Sequence, residues 1–295
     1  MSEYILSCCS PVDIKEEYLQ KNNVNYVSFK YYLNDKEYTD DFGKTLSAEN
    51  FYKALVDGAE PRTSQINTEA YCEYFEQFLK EGKDILHICF SSGLSGTYNS
   101  CNIAKTILEE KYPDRKLVII DSLAASSGYG ILVMLAAEYK AQGKTLLEVA
   151  EYIESIKLKV HHWFFSTDLT FFVKGGRITK AAGWFGTMLK ICPLLNVSFE
   201  GKLVPRFKVR TKPKVIEEIV KQMELYADKG LQYDGKCYIS HAAVLDDATA
   251  VKDLVEQKFP NLKGKVEIFD IGTLIGCHTG VGTVALFFLG DKRAD

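Results

Sequence analysis

Apolar and polar positions follow two rhythms in the first half of the chain. Short runs rich in β-branched and aromatic residues, "EYILSCC", "VNYVSFKYYLN", "DILHICF" and "KLVIID", read as strands. Between them lie longer stretches with apolar residues every three or four positions, which read as helices: "VDIKEEYLQKNN", "SAENFYKALVDG", "NTEAYCEYFEQFLKEG", "GTYNSCNIAKTILEEKYP" and "SSGYGILVMLAAEYKAQG". Continuously apolar strands separated by helices predict a parallel sheet covered on both faces.

Near residue 160 the rhythm changes. "VHHWFFSTDLTFFVKGGRI" and "ICPLLNVSFEGKLVPRFKV" follow, the latter with "EG" as a hairpin turn between two strands. A helix "KPKVIEEIVKQMELYADKG" and the strands "KCYISHAAV", "KVEIFDIG" and "VGTVALFFLG" complete the chain. The expected class is α/β: an N-terminal α/β domain over residues 1–160, and over 161–295 an α+β domain with several antiparallel strands.

Composition narrows the function. With 46% apolar and 25% charged residues in 295, the chain has enough apolar material for a substantial core. A net charge of −3 creates no field that draws nucleic acid or an anionic membrane surface. "MSEYILSCCSPVD" does not read as a leader, and no run approaches the ~18 apolar residues of a membrane span, so a cytoplasmic protein without stable membrane insertion is expected. The eight cysteines (Cys8, Cys9, Cys72, Cys89, Cys101, Cys192, Cys237, Cys277) form no C-x-x-C pair and read as reduced, structural residues. The five histidines lack zinc-site spacing, so neither metal nor cofactor is expected.

Three stretches carry candidate chemistry. "SSGLSGTYNSC", residues 91–101, joins a strand to a helix, where ligands of open α/β sheets bind. It lacks the glycine spacing of a dinucleotide fingerprint, and the "GKT" runs at Gly43 and Gly143 have Tyr38 and Glu138 where a phosphate loop needs glycine. "GLSGT" has Thr97 where a hydrolase elbow needs its last glycine. What survives is a helix N-terminus flanked by hydroxyls, suited to an anion or simply capped by its serines. "EPRTSQI", residues 60–66, reads as a second hydroxyl-bearing loop ahead of a helix beginning near Asn67. "IGTLIGCHTGVGT", residues 271–283, reads as a glycine-rich turn in which His278 is either a donor or a bystander.

Taken in order, "RTSQ", "SSGLSGTYNS", "IDSLAASSGYG", "KGGRI", "PRFKVR" and "IGCHTGVG" resemble the DegV family of fatty-acid-binding proteins, which includes the FakB subunits of fatty acid kinase. The resemblance implies a two-domain fold: a Rossmann-like parallel sheet with helices on both faces, then an α+β domain with a mostly antiparallel sheet. A long-chain fatty acid such as palmitate, stearate or oleate would lie between them. By motif, Thr63, Ser95 and His278 would hold its carboxylate, Gly96 and Arg177 would support them, and Arg210 would dock the ATP-binding kinase subunit. The protein would be a non-catalytic carrier for acyl-phosphate formation and phospholipid synthesis. The rival readings are an acyl-ester hydrolase using Ser95 and His278, and a scaffold with a purely structural lipid. One departure stands out: Cys9 occupies the place where the family's first strand ends in aspartate, removing a charge expected near the head group. Tail-lining candidates are "HHWFFSTDLTFF" and "AAGWFGTMLKICPLL".

Overall fold

The computed structural model describes residues 4–179 and 191–293. In chain order the first elements are β1 (Ile5–Cys9), α1 (Glu16–Lys21), β2 (Val24–Val27), β3 (Lys30–Leu33), β4 (Lys36–Thr39), α2 (Ala48–Val56) and β5 (Pro61–Ser64). They continue with α3 (Thr68–Lys80), β6 (Ile85–Cys89), α4 (Thr97–Lys111), β7 (Leu117–Asp121), α5 (Ser126–Ala141) and α6 (Leu146–Ile156). After these come β8 (Val160–Ser166), α7 (Thr170–Lys174), β9 (Ile191–Val197), β10 (Leu203–Arg210), α8 (Lys212–Tyr226) and β11 (Tyr238–His241). The chain ends with α9 (Leu245–Lys258), β12 (Glu267–Asp270), α10 (Thr273–Thr279) and β13 (Thr283–Leu289).

Strands β2-β1-β6-β7 form the expected parallel sheet, and β10-β9-β8-β13-β11-β12 form a sheet antiparallel throughout except for β11 and β12. A third, antiparallel sheet, β4-β3-β5, corrects two expectations. "VNYVSFKYYLN" is two strands in different sheets, because the chain leaves the parallel sheet after Val27, where Ser10 Oγ accepts the N–H of Phe29. "RTSQ" begins on a strand, Tyr31 facing Thr63 across the ladder.

Local signals place the helices. Ser47 and Asn67 accept backbone N–H groups of α2 and α3, and Thr145 with Glu148 forms a capping box on α6, so the second "GKT" run is a helix start. Helix α3 buries Tyr71, Phe75 and Leu79, one residue per turn. Helix α5 is apolar on all sides because it packs between the two large sheets, touching β1 and also β8, β11 and β13. Gly128 permits that approach: a Cβ there would stand 2.3 Å from His162 Nε2.

The six-stranded sheet divides the core by alternation. Trp163 and Phe165 of β8 join the cluster under α8 and α9, while Phe164 faces the other way, into the cluster shared with the parallel sheet. Two polar devices tie the layers together. Buried Arg293 donates to the carbonyls of Leu123, Val197 and Ser198. Asp13 accepts from Ser126 and from the N–H of Gly272, while Asp40 accepts from Ser10 and Thr273, anchoring the start of α10 to the first half.

Candidate functional site

A cavity of about 280 Å³ opens between the layers. Its walls are mainly apolar, including Phe29, Phe90, Phe164, Phe172, Leu274 and Phe287. Thr63, Ser95, Gly96, Arg177 and His278 also line it. Thr63, Arg177 and His278 in addition border a second hollow of about 550 Å³, lined further by Glu60, Arg62 and Lys174. These three residues therefore stand between the cavity and its neighbour.

Each side chain is brought there by a different element. Strand β5 supplies Thr63, whose Oγ1 lies 2.9 Å from Nε2 of His278, 215 residues later. His278 is in the last turn of α10, which corrects the expectation of a loop histidine. The glycines around it are spent otherwise: Gly276 lets α10 pack against Phe51 and Tyr52, and Gly280 ends the helix at a φ of 62°.

Ser95 and Gly96 form the turn into α4, where Ser95 Oγ accepts the Thr97 N–H at 3.2 Å. That turn is pinned from outside. Ser91 donates to the Gly201 carbonyl at the β9–β10 hairpin, and Gly93 leaves room for the hairpin, since a Cβ there would meet the Glu200 oxygen at 2.5 Å. Arg177, just after α7, donates from Nε and Nη2 to the Leu94 carbonyl and from Nη1 to that of Gly175. It thus clasps the serine turn while its charge has no acidic partner among the described residues.

That charge sets the electrostatics. Burial, reinforced by the Arg177 guanidinium, pushes His278 down to about 3, so its imidazole is neutral at pH 7. Its buried Nδ1 has no hydrogen-bond partner among the described residues. The pairing a hydrolase needs is not formed among the described residues: Nε2 is engaged by Thr63, and none of their carboxylates orients Nδ1.

Thr63, Ser95, Gly96, Arg177 and His278 are thus brought together, whereas Arg210 lies exposed at the end of β10 and lines neither hollow. Cys9 is not in the lining either; its buried thiol packs beside Tyr71 and His87. Of the tail candidates, His162, Phe164 and Phe172 line the cavity, and residues 181–190 of the second run lie outside the described residues. Gln65 and Ser126 were not legible as lining polar groups, although Gln65 closes the "RTSQ" motif and Ser126 lies within "IDSLAASSGYG". Among the described residues no helix is long and apolar enough to cross a membrane.

Comparison with known proteins gives a consistent result. A family model described as "Uncharacterised protein, DegV family" matches residues 10–291. A DegV domain-containing protein of Clostridium perfringens is 34% identical over 293 residues, 99% of each chain. The crystal structure of a fatty acid binding DegV family protein from Streptococcus agalactiae is similar at a TM-score of 0.84 and 26% identity, over 99% of this chain and all of that one. A Streptococcus pneumoniae fatty acid kinase B3 protein, solved loaded with linoleic acid, shares the fold at a TM-score of 0.82 and 20% identity, over 99% and 100% of the two chains.

Proposed function

The chain belongs to the DegV family, and on that footing we propose that it binds a long-chain fatty acid and offers the carboxylate to a separate ATP-using kinase subunit. The tail lies among the phenylalanines of the cavity, and the head group lies at Thr63, Ser95, Arg177 and His278. One observation carries this reading. Residues from β5, the α4 turn, the end of α7 and α10 converge on an apolar cavity with a guanidinium that is bonded only to backbone carbonyls and has no acidic partner among the described residues.

The energetics divide the work. Burying ~14 methylenes at about 0.8 kcal/mol each supplies roughly 11 kcal/mol before ordering costs. A buried carboxylate without donors costs several kcal/mol, so the polar end must supply them. Neutral His278 does so through Thr63. With no acceptor near Nδ1, the ring proton belongs on Nε2, which donates to Thr63 Oγ1 and leaves the threonine hydrogen for the ligand. Ser95 has its own hydroxyl hydrogen free, since its oxygen accepts from Thr97. The neighbouring hollow bordered by Thr63, Arg177 and His278 is where a phosphoryl donor reaches the head group.

The Streptococcus agalactiae and Streptococcus pneumoniae relatives support the ligand class, and the latter supports the kinase connection. Arg210 as a docking residue rests on the motif resemblance. The test is mass spectrometry of lipid extracted from the purified protein, followed by incubation with ATP and a fatty acid kinase subunit. About one fatty acid per chain and acyl phosphate that requires both proteins are expected. Bound nucleotide instead of lipid, or ester hydrolysis abolished by Ser95→Ala, would overturn the reading.

A further inference from the structure

Ser7 on β1 pairs with His87 on its parallel neighbour β6, so two positions further on Cys9 and Cys89 stand side by side on the same face of the sheet. Helices α3 and α4 bring Tyr71 and Cys101 to them. Cys9 Sγ lies 3.6 Å from His87 Nε2, and the ligand atoms of Cys9, His87 and Cys89 all lie within 4.8 Å of one another. Cys101, fully buried on α4, neighbours Cys89, with its Sγ outside the group of three atoms that lie within 4.8 Å of one another. Tyr71 Oη is 3.4 Å from Cys9 Sγ and 3.6 Å from Cys89 Sγ. Every one of these residues is fully buried.

We propose that Cys9, His87 and Cys89, with Cys101 as the fourth ligand, form a binding site for a soft divalent ion of the zinc class. A tetrahedral zinc with Zn–S of about 2.3 Å and Zn–N of about 2.0–2.1 Å holds its ligand atoms about 3.5–3.8 Å apart; Cys9 and His87 already stand at 3.6 Å, Cys89 lies within 4.8 Å of both, and Cys101 has to close in on the ion. Thiolate and imidazole donors select such an ion over magnesium or calcium. Buried cysteines alone are accounted for as small apolar side chains. That account leaves a fully buried imidazole whose Nε2 is turned toward sulfur.

The ring is held in that attitude from behind. Its Nδ1 lies 2.9 Å from Ser7 Oγ, which lies 2.8 Å from Tyr74 Oη, the kind of outer hydrogen bond that fixes a metal-binding histidine. On binding, the three thiols release their protons to solvent, and three thiolates with a neutral imidazole leave a single net charge on the complex. The ion joins β1, β6 and α4. Tyr71 also bonds Thr97 Oγ1 at 2.9 Å, at the start of α4 beside Ser95 and Gly96, so the site underpins the serine turn.

The full chain, without a histidine tag, is expressed in zinc-supplemented medium, desalted over a chelating resin and measured by elemental mass spectrometry. About one zinc per chain is expected. Cys9→Ser and Cys89→Ser should each lose about tenfold or more of it, whereas Cys72→Ser and Cys237→Ser, which lie elsewhere, should retain it. If the serine variants do not fold, wild-type protein produced with cobalt decides, through the thiolate-to-cobalt absorption of a tetrahedral site. Folded wild-type protein without metal, cobalt bound without that absorption, zinc retained in folded Cys9→Ser, or a Cys9–Cys89 disulfide would each overturn the proposal. Lipid content is measured on the same samples, so loss of metal and loss of fatty acid are separate results.

Discussion

Two histidines line the same cavity and are treated in opposite ways. At the apolar wall, His162 is complete: Nδ1 donates to the Val160 carbonyl at 2.9 Å, and Nε2 receives the Ala125 N–H at 3.4 Å. At the polar end, His278 shares one ring nitrogen with Thr63 and leaves the other unpaired. Burial holds both neutral. The difference teaches that burial alone does not mark a functional histidine. A wall residue closes its hydrogen bonds within the fold, whereas His278 spends its one donor on Thr63 Oγ1 and so leaves the threonine hydrogen open for a ligand.

Acid should have the largest effect. His161, His162 and His278 are held below their ordinary value of 6.5, His161 at about 4 and His278 at about 3, mainly by burial. Their neutral forms contribute stability that is fully present above about pH 6.5. It is lost as pH falls toward the folded values, at up to about 1.4 kcal/mol per pH unit for each group. Asp13, raised to about 7 by burial, works in the opposite sense: its contribution is present below its ordinary value of 3.8 and lost as pH rises toward 7. Three histidines outweigh it, helped as it is by Asp40, which is also raised. Urea unfolding of lipid-free protein should show stability falling from pH 6.5 to 4, and a rise would break the comparison.

Truncating the wall should cost folding. Phe287→Ala removes a buried ring that meets the edge of His162, and a loss of about 3–5 kcal/mol in urea unfolding is expected. At the polar end, Arg177→Met keeps the stem and removes the charge. It should weaken fatty acid affinity by about 2 kcal/mol, and raise the His278 pKa while leaving it below 6.5, because burial remains the larger cause. Calorimetry and NMR titration of the imidazole check the two parts. Thr63→Val should have the smallest effect on affinity, about 1 kcal/mol, with a stability loss of similar size in urea unfolding because His278 Nε2–H loses its acceptor. A stability loss with affinity unchanged would show that Thr63 serves the fold alone.

Much of this molecule could be read in one dimension. Apolar runs and 3.6-residue periodicity marked the parallel sheet and its covering helices, because such patterns report directly which faces must leave water. The "EG" turn marked the β9–β10 hairpin, and the motif order pointed to Thr63, Ser95 and His278. What failed were elements whose state depends on neighbours. Glycines around His278 signalled a turn, yet they serve close packing of a helix against Phe51 and Tyr52. Residues 61–64 carry proline and polar side chains, yet pair as a strand because β3 offers an edge.

Residue type and local spacing therefore determined the kinds of element and the chemistry each carries. Tertiary structure decided which chemistries meet. Strand register put Cys9 beside Cys89 and set His87 over both, a grouping that no spacing between positions 9 and 89 announces. The packing of α10 against β5 likewise closed the 215 residues between Thr63 and His278 to one hydrogen bond. Local patterns record how each segment partitions between water and core. Contacts between distant segments depend on how whole surfaces fit, and that is settled only when the layers close on one another.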